Sequence, residues 1–303
     1  MEKAVLLGPF VGEMYWEAGR FAPMLPYLLF KKYKNRGIKF IILTREERFD
    51  LYGRYADILI PLKIEGDYIT KSPNCFRLNG LKPPQYDDIV NKFKEQYSKR
   101  FKIIEHIHPD VTKGKFLNKN QFPAKQMMFK FKPRMENYEL VNSFIPNEKP
   151  LVILAPRFRK GFRRNWTNWK GFYDKLSSDQ DLMENFNFVI CGKVGEYVPD
   201  EKNRFYDMTK IEVGKKSSTI GLLLAIMERT IFTFGSQSAI PNISLLYGIE
   251  VLEFGCQKAL HTKTYNVKNT PITFIEDRQY NIEVPKIYKH FKKLVQKKKG
   301  EIK

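Results

Sequence analysis

A chain of 303 residues that is 43% hydrophobic can bury a large core, and its length favours two domains over one. No apolar run reaches membrane-spanning length, and the start MEKAVLLGPFVGE lacks the basic and long apolar stretches of a secretory leader, so a cytoplasmic protein is expected. Lys and Arg number 53 against 33 Asp and Glu, a formal +20 that calls for a polyanionic partner: nucleic acid, phosphorylated glycan or membrane surface.

Apolar runs suited to buried parallel strands recur along the chain. In order they are AVLLGPF, KFIILT, DILIPL, LVILAPRF, FNFVICGK, TIFTFG, EVLEFG and PITFIE. Between them lie helix-like stretches: Tyr15 to Tyr33, Gln85 to Glu105, Trp169 to Ser177, Thr219 to Glu228, Ile240 to Tyr247 and Pro285 to Lys298. The alternation predicts an α/β protein with mostly parallel sheets. Two prolines flank polar residues in IPNEKP, Ile145 to Pro150, which marks a domain boundary. The expected organisation is a first domain over 1–147, a second over 148–284, and a C-terminal helix with a basic tail over 285–303 that crosses back to the first.

The charge excess is concentrated. Ser98 to Arg134 carries ten Lys/Arg against two acids, Arg157 to Lys170 six against none, and Lys286 to Lys303 eight against one. The first of these segments, with Lys113, Lys115, Lys119 and Lys125, reads as an acceptor-facing or polyanion-binding insertion, and Arg163 joins that set. Cys75, Cys191 and Cys256 have neither the even count of a disulfide framework nor zinc-site spacing, so reduced core or strand-end residues are expected. His106 and His108 would share a face of an extended segment, but no third ligand is in view and no metal site is expected.

One turn has chemical content. The strand TIFTF ends in Gly235-Ser236-Gln237-Ser238 and opens directly into a helix, which leaves backbone N–H groups and the positive end of a helix dipole beyond the strand. Such a place suits a diphosphate, with hydroxyls from Ser236 and Ser238 and a carboxamide from Gln237. An ordinary serine N-cap would account for the same letters. Arg157, Arg159, Lys160 and Arg164 follow another strand and can clamp phosphate. Trp166 and Trp169 share a helix face and read as packing residues. Glu196, Glu250 and Glu253 lie near strand ends and are candidate ribose partners.

The order of these features resembles the lipopolysaccharide heptosyltransferase-like branch of the GT-B glycosyltransferases. Pro156, Arg157, Arg164 and Trp166 match that family's strand-ending proline, basic loop and helix start, and Gly192 its next strand-ending glycine. Gly235 to Ala239 stands at its G-x-D-S-G turn, with Gln237 in place of the acid and Ala239 in place of the second glycine. In the N-terminal lobe, LLGPFVGEMYWEAGRF is similar to the family's first strand and loop, and Gly12-Glu13 falls at its Gly-Asp.

The resemblance implies two Rossmann-like domains facing each other across a cleft and inverting transfer from a nucleotide-sugar, a UDP-sugar being the expected donor, without a required metal or cofactor. It implies Glu13 as general base with Glu17 in reserve, and a donor site built from Gly12, Arg157, Arg159, Lys160, Arg164, Gly192, Ser236, Gln237, Ser238 and Glu253. Phage DNA glucosyltransferases share GT-B architecture, and with a charge of +20 the expected acceptor is a hydroxymethylated pyrimidine in DNA. A cell-surface glycan or lipopolysaccharide is the alternative acceptor. Further alternatives are a nucleotide-sugar epimerase and a nucleic-acid-binding protein without catalysis.

Overall fold

The structure, a computed structural model, describes residues 1–10, 33, 36–53, 55–62, 83–107, 131–146, 148–157, 165–192, 205–214, 218–255, 266 and 268–302. The chain divides into two compact units, Met1–Pro133 and Arg134–Lys303.

The first unit holds strands β1 (Glu2–Phe10), β2 (Lys39–Thr44), β3 (Ile58–Pro61) and β4 (Phe101–Ile107) and helix α1 (Pro83–Tyr97). Its sheet has the order β3-β2-β1-β4, and every pairing is parallel. Ala4, Leu6, Ile41 and Leu43 pack with Val90 and Phe93 of α1 and with Phe101 in one buried cluster. The sequence pattern predicted a single helix as far as Glu105. The helix instead stops at Tyr97, and FKIIEHI pairs with β1, because Ile103 and its neighbours alternate sides of the sheet and Phe101 and Ile107 are buried. Near its C-terminal end β1 is irregular: Gly8 has φ 106°, and His106 Nε2 donates to the Gly8 carbonyl at 2.7 Å. This nitrogen of His106 is therefore engaged by backbone.

The second unit contains strands β5 (Leu151–Ala155), β6 (Asn187–Ile190), β7 (Phe205–Asp207), β8 (Thr230–Ser236), β9 (Glu250–Gly255) and β10 (Ile272–Glu276). Its helices are α2 (Met135–Phe144), α3 (Trp169–Ser177), α4 (Gln180–Asn185), α5 (Thr219–Glu228), α6 (Ala239–Tyr247) and α7 (Val284–Ile302). The strand order is β10-β9-β8-β5-β6-β7, again parallel throughout. Chain order runs outward from β5 in one direction and then from β8 in the other, the doubly wound arrangement whose switch point lies between β5 and β8.

One face of this sheet carries an aromatic core. Trp166, Trp169, Phe172, Phe234, Phe254 and Phe291 are all buried there, with the Trp166 and Trp169 rings 5.1 Å apart, edge to face. The tryptophans are thus packing residues, as the sequence suggested. The last helix, α7, buries Ile287, Phe291 and Val295 in this same core, so its apolar face belongs to the second unit. Cys191 is free and buried, and burial beside the Asp207 carboxylate pushes its thiol far above the usual range. Among the described residues no helix is long and apolar enough to cross a membrane.

The division between units falls at Pro133, ahead of the proline-flanked segment at 145–150, and α2 lies in the second unit. Two polar contacts account for this. Asn137 of α2 is fully buried and its Oδ1 accepts from Ser218 N, the N-cap residue of α5. Arg229, just after α5, donates to the carbonyls of Ile145 and Pro146 at 3.1 and 2.7 Å. The Asn137 side chain fits only because residue 221 is glycine: a Cβ there would meet Asn137 Nδ2 at 2.3 Å.

Much of the basic character of α7 is used inside the unit. Asp179 accepts from Tyr288 Oη at 2.8 Å and Lys292 Nζ at 2.6 Å, and Asp181 accepts from Lys299 Nζ at 2.7 Å. Lys298 pairs at 3.0 Å with the buried Glu250, and Lys297 reaches the same carboxylate at 3.7 Å. Among the described residues Lys286, Lys289 and Lys293 pair with no carboxylate and are exposed.

Two predictions follow from these ties. An interior helical Gly→Ala change ordinarily stabilises by about 0.8–1 kcal/mol. For Gly221→Ala the sign should reverse to a loss of about 1–3 kcal/mol from overpacking against Asn137, read as a lower urea midpoint. At Asp179, burial opposes ionisation, but the bonds from Lys292, Tyr288 and Leu182 N outweigh it and hold the carboxyl below its ordinary value of 3.8. A depressed carboxyl stabilises the fold above its unfolded value and loses that contribution as pH falls through its folded value. Asp179→Asn should therefore lower the melting temperature near neutrality by about 2–4 °C, the effect of about 1 kcal/mol on a unit of this size. The deficit should close in melts taken at pH below 3.8.

Candidate functional site

The switch point between β5 and β8 is closed by contact rather than by side chains. In register, Ala155 lies opposite Gly235, and a Cβ on Gly235 would stand 2.6 Å from Ala155 Cβ and 2.7 Å from its carbonyl oxygen. Only glycine lets the two strands run together to their C-terminal ends. Beyond that point the chains diverge, β5 into Pro156 and Arg157 and β8 into Gln237 and Ser238, which is where doubly wound sheets bind ligands.

Arg157 spans the gap. Its Nη1 donates to the Gln237 carbonyl at 2.7 Å, while Gln237 N donates to Phe254 O at 2.9 Å. The middle of the turn is thereby fixed to β9 on one side and to a guanidinium on the other. Gly192, just past β6, lies under the same place: a Cβ there would meet Pro156 O at 2.7 Å and Ile240 Cδ1 at 3.3 Å. The helix α6 is seated on β8 by a buried hydrogen bond between Thr233 and Ser244 at 2.8 Å, and Gly248 closes it with a left-handed residue.

The start of α6 is chemically incomplete. At α5 the cap Ser218 accepts from Gly221 N at 2.8 Å, and at α4 the cap Asp179 accepts from Leu182 N, in each case the third residue of the helix. At α6 the cap is Ser238 and the third residue is Pro241, which has no N–H. Ser238 makes no cap hydrogen bond, and the first-turn amides of α6 have no partner within the helix. Three side-chain atoms here are buried and unpartnered: Ser236 Oγ, Ser238 Oγ and Asn242 Oδ1. Asn242 is only 4% exposed, and its amide nitrogen is held by the Ser238 carbonyl at 2.6 Å. The hydroxyls of Ser236 and Ser238 and the first amides of the helix form a group of donors at its positive end, beside one fixed guanidinium, suited to a diphosphate, while the Asn242 Oδ1 is an acceptor suited to a hydroxyl.

Of the residues expected in a donor site, Arg157, Gly192, Ser236, Gln237 and Ser238 are therefore gathered at one end of the second sheet. Glu253 is fully buried, opposite Gly235 in register. Strand alternation turns it to the sheet face opposite Leu252 and Phe254, which lie in the aromatic core. Glu250 is likewise buried and is occupied by Lys298. Gly12, Glu13, Glu17, Lys113, Lys115, Lys119, Lys125, Arg159, Lys160, Arg163, Arg164 and Glu196 lie outside the described residues. Among the described residues no group of three or more His, Cys, Asp or Glu side chains could hold a metal ion. Sequence reading missed Pro241 and Asn242. The signal for them was Ser-Ala-Ile-Pro, a cap whose usual donor is deleted.

No protein-family model matches the chain, and comparison with curated proteins finds no match. Among solved structures it is similar to the glycosyl transferase family 9 protein from Veillonella parvula DSM 2008, with a TM-score of 0.58 and 10% identity over 98% of this chain and 97% of that one. It is equally similar to ADP-heptose lps heptosyltransferase II from E. coli, with a TM-score of 0.58 and 12% identity over 99% and 100% of the two chains. The likeness is one of fold, the α/β GT-B fold with parallel sheets.

The uncapped serine yields a test. An ordinary Ser→Ala change at an N-cap costs about 1 kcal/mol. Ser238→Ala should leave the denaturation midpoint of the ligand-free protein unchanged, whereas Ser218→Ala should lower it by the usual amount.

Proposed function

We propose that this protein is a glycosyltransferase that takes its sugar from a nucleotide-sugar held by the second unit. The observation that carries the reading is the uncapped start of α6, set at the switch point beside Arg157 with Ser236, Ser238 and Asn242 around it. Arg157, the hydroxyls of Ser236 and Ser238, and the first amides of α6 hold the diphosphate. In the transfer step the acceptor oxygen attacks the anomeric carbon as the bond from that carbon to the diphosphate breaks. The charge left on the departing phosphate is met by Arg157 and the α6 dipole, and the acceptor proton passes to a carboxylate, which we assign to Glu13 with Glu17 in reserve.

For the acceptor, the balance of observations favours a phosphorylated glycan over DNA. The E. coli neighbour of the same fold is an lps heptosyltransferase. The charge argument for DNA also weakens, since Lys292, Lys297, Lys298 and Lys299 neutralise carboxylates of their own unit. ADP and UDP are the two donor nucleotides to compare, ADP-heptose being the donor in the name of that neighbour.

Calorimetry with ADP and UDP, followed by transfer assays on core-glycan and hydroxymethylated-DNA acceptors, tests each part. Arg157→Ala should weaken diphosphate binding about tenfold or more, the loss of a charge-assisted bond of about 1.5–3 kcal/mol. Glu13→Gln should abolish transfer while leaving that binding intact. Sugar appearing on the DNA alone would reverse the acceptor assignment, and binding unaffected by Arg157→Ala would remove the site.

A further inference from the structure

Seven lysines lie on α7, and the fold treats them in two ways. At about 100° per residue, Ile287, Phe291 and Val295 define the side packed on the aromatic core. Lys298 on that side and Lys292 and Lys299 at its edge are each taken by a carboxylate of the unit: Glu250 at 3.0 Å, Asp179 at 2.6 Å and Asp181 at 2.7 Å. These three seat the helix. Lys286, Lys289 and Lys293 fall within an arc of about 60° on the opposite side, in steps of about 4.5 and 6 Å along the axis. They are exposed and, among the described residues, engage no carboxylate. Lys297 continues the row, 56% exposed and held only at 3.7 Å by Glu250 and Glu301.

An ordinary solvated helix face interleaves the two signs of charge. Here Lys286 and Lys289, and Lys289 and Lys293, are like-charge neighbours, which weaken a helix unless an anion stands against them. Acids occur only at the ends of the segment in sequence, as Glu283 before it and Glu301, which Lys298 engages at 2.6 Å. The arc exposes Lys286, Lys289, His290, Lys293 and Lys297, with no apolar residue among them, so it has nothing to insert into hydrocarbon and nothing on which a base could stack. A helix whose opposite side is buried in its own unit cannot enter a DNA groove. Lysine, a mobile point charge, also lacks the fork with which arginine grips one fixed phosphate. A row of such charges on a convex face suits a plane of anions that move laterally to meet it.

We propose that the outward arc of α7 is a docking surface for a bilayer carrying anionic lipid headgroups, and that it holds the chain there reversibly, by charge and without insertion. Docking of this kind is independent of the donor site, since α7 carries all of its groups.

Co-sedimentation of the full chain with vesicles of phosphatidylcholine alone and of phosphatidylcholine mixed with phosphatidylglycerol tests this. The wild-type protein should partition onto the mixed vesicles only, and should leave them as the Debye length falls from about 10 Å at 0.1 M salt to about 3 Å at 1 M. Replacing Lys286, Lys289 and Lys293 by Gln should weaken partition about fivefold per residue and about a hundredfold together, with the melting temperature unchanged. The same substitution at Lys92, Lys94 and Lys99, exposed lysines of the first unit, removes as much formal charge and should have far less effect. Equal loss in the two triple variants would make the binding a property of net charge and overturn the proposal. So would partition that survives 1 M salt, or wild-type protein that ignores the mixed vesicles. Duplex DNA or glucose 6-phosphate that displaces the chain from vesicles at concentrations too low to screen charge would overturn it in favour of a nucleic-acid or glycan site.

Discussion

The second unit depends on the approach of β5 to β8 at Ala155 and Gly235. These strands are neighbours in the sheet but far apart in sequence, and between them the winding reverses. With no Cβ on Gly235 they stay paired to their last residues, so the segments that leave them start close together. That is why one arginine side chain can reach the backbone of the turn on the other strand, and why α6 starts beside it. Gly192 and Gly255 repeat the device on either flank, each replacing a side chain with space that neighbouring atoms fill. The site is assembled mostly from absences of side chain along one sheet edge.

The strands were legible where they are buried on both faces, because continuous runs such as LVILA and EVLEFG have no other economical explanation. Two escaped. FKIIEHI follows an amphipathic helix with neither glycine nor proline between, so its two-residue period was absorbed into the helix before it. The strand Phe205–Asp207 is too short to have a period at all. The compact units divide at Pro133 rather than at 145–150. Composition identifies the proline-flanked loop, but the ties of α2 to the second unit run through Asn137 and Arg229, a buried amide and a guanidinium that no local pattern distinguishes.

At the site, the strand, the small residues and the helix start all stand where the sequence pattern puts them. Its chemistry was not legible, since the letters Ser-Gln-Ser fit a self-satisfied cap equally well. What separates the two is Pro241, three residues on, which deletes the N–H that an ordinary cap at Ser238 would accept from. Charge reading had the opposite weakness. The basic tail is conspicuous as a run of letters, yet Asp179, Asp181 and Glu250 that receive its lysines lie far from it in sequence, and Glu250 far from the other two. Formal charge overstates the field that a partner of this helix would meet.

The unfinished start of α6 has a thermodynamic counterpart. Ser218 and Asp179 complete their own helices and Ser238 does not, so a ligand at the proposed site would in effect be the missing part of the fold. Anything that binds the folded chain and not the unfolded one raises its stability by RT ln(1 + [L]/Kd), about 2.7 kcal/mol at a hundredfold excess over Kd. For a helix that begins on its ligand, the melting curve is a reporter of occupancy. On the proposed donor site, the nucleotide that fits would be picked out of an unlabelled collection by the temperature at which the chain comes apart.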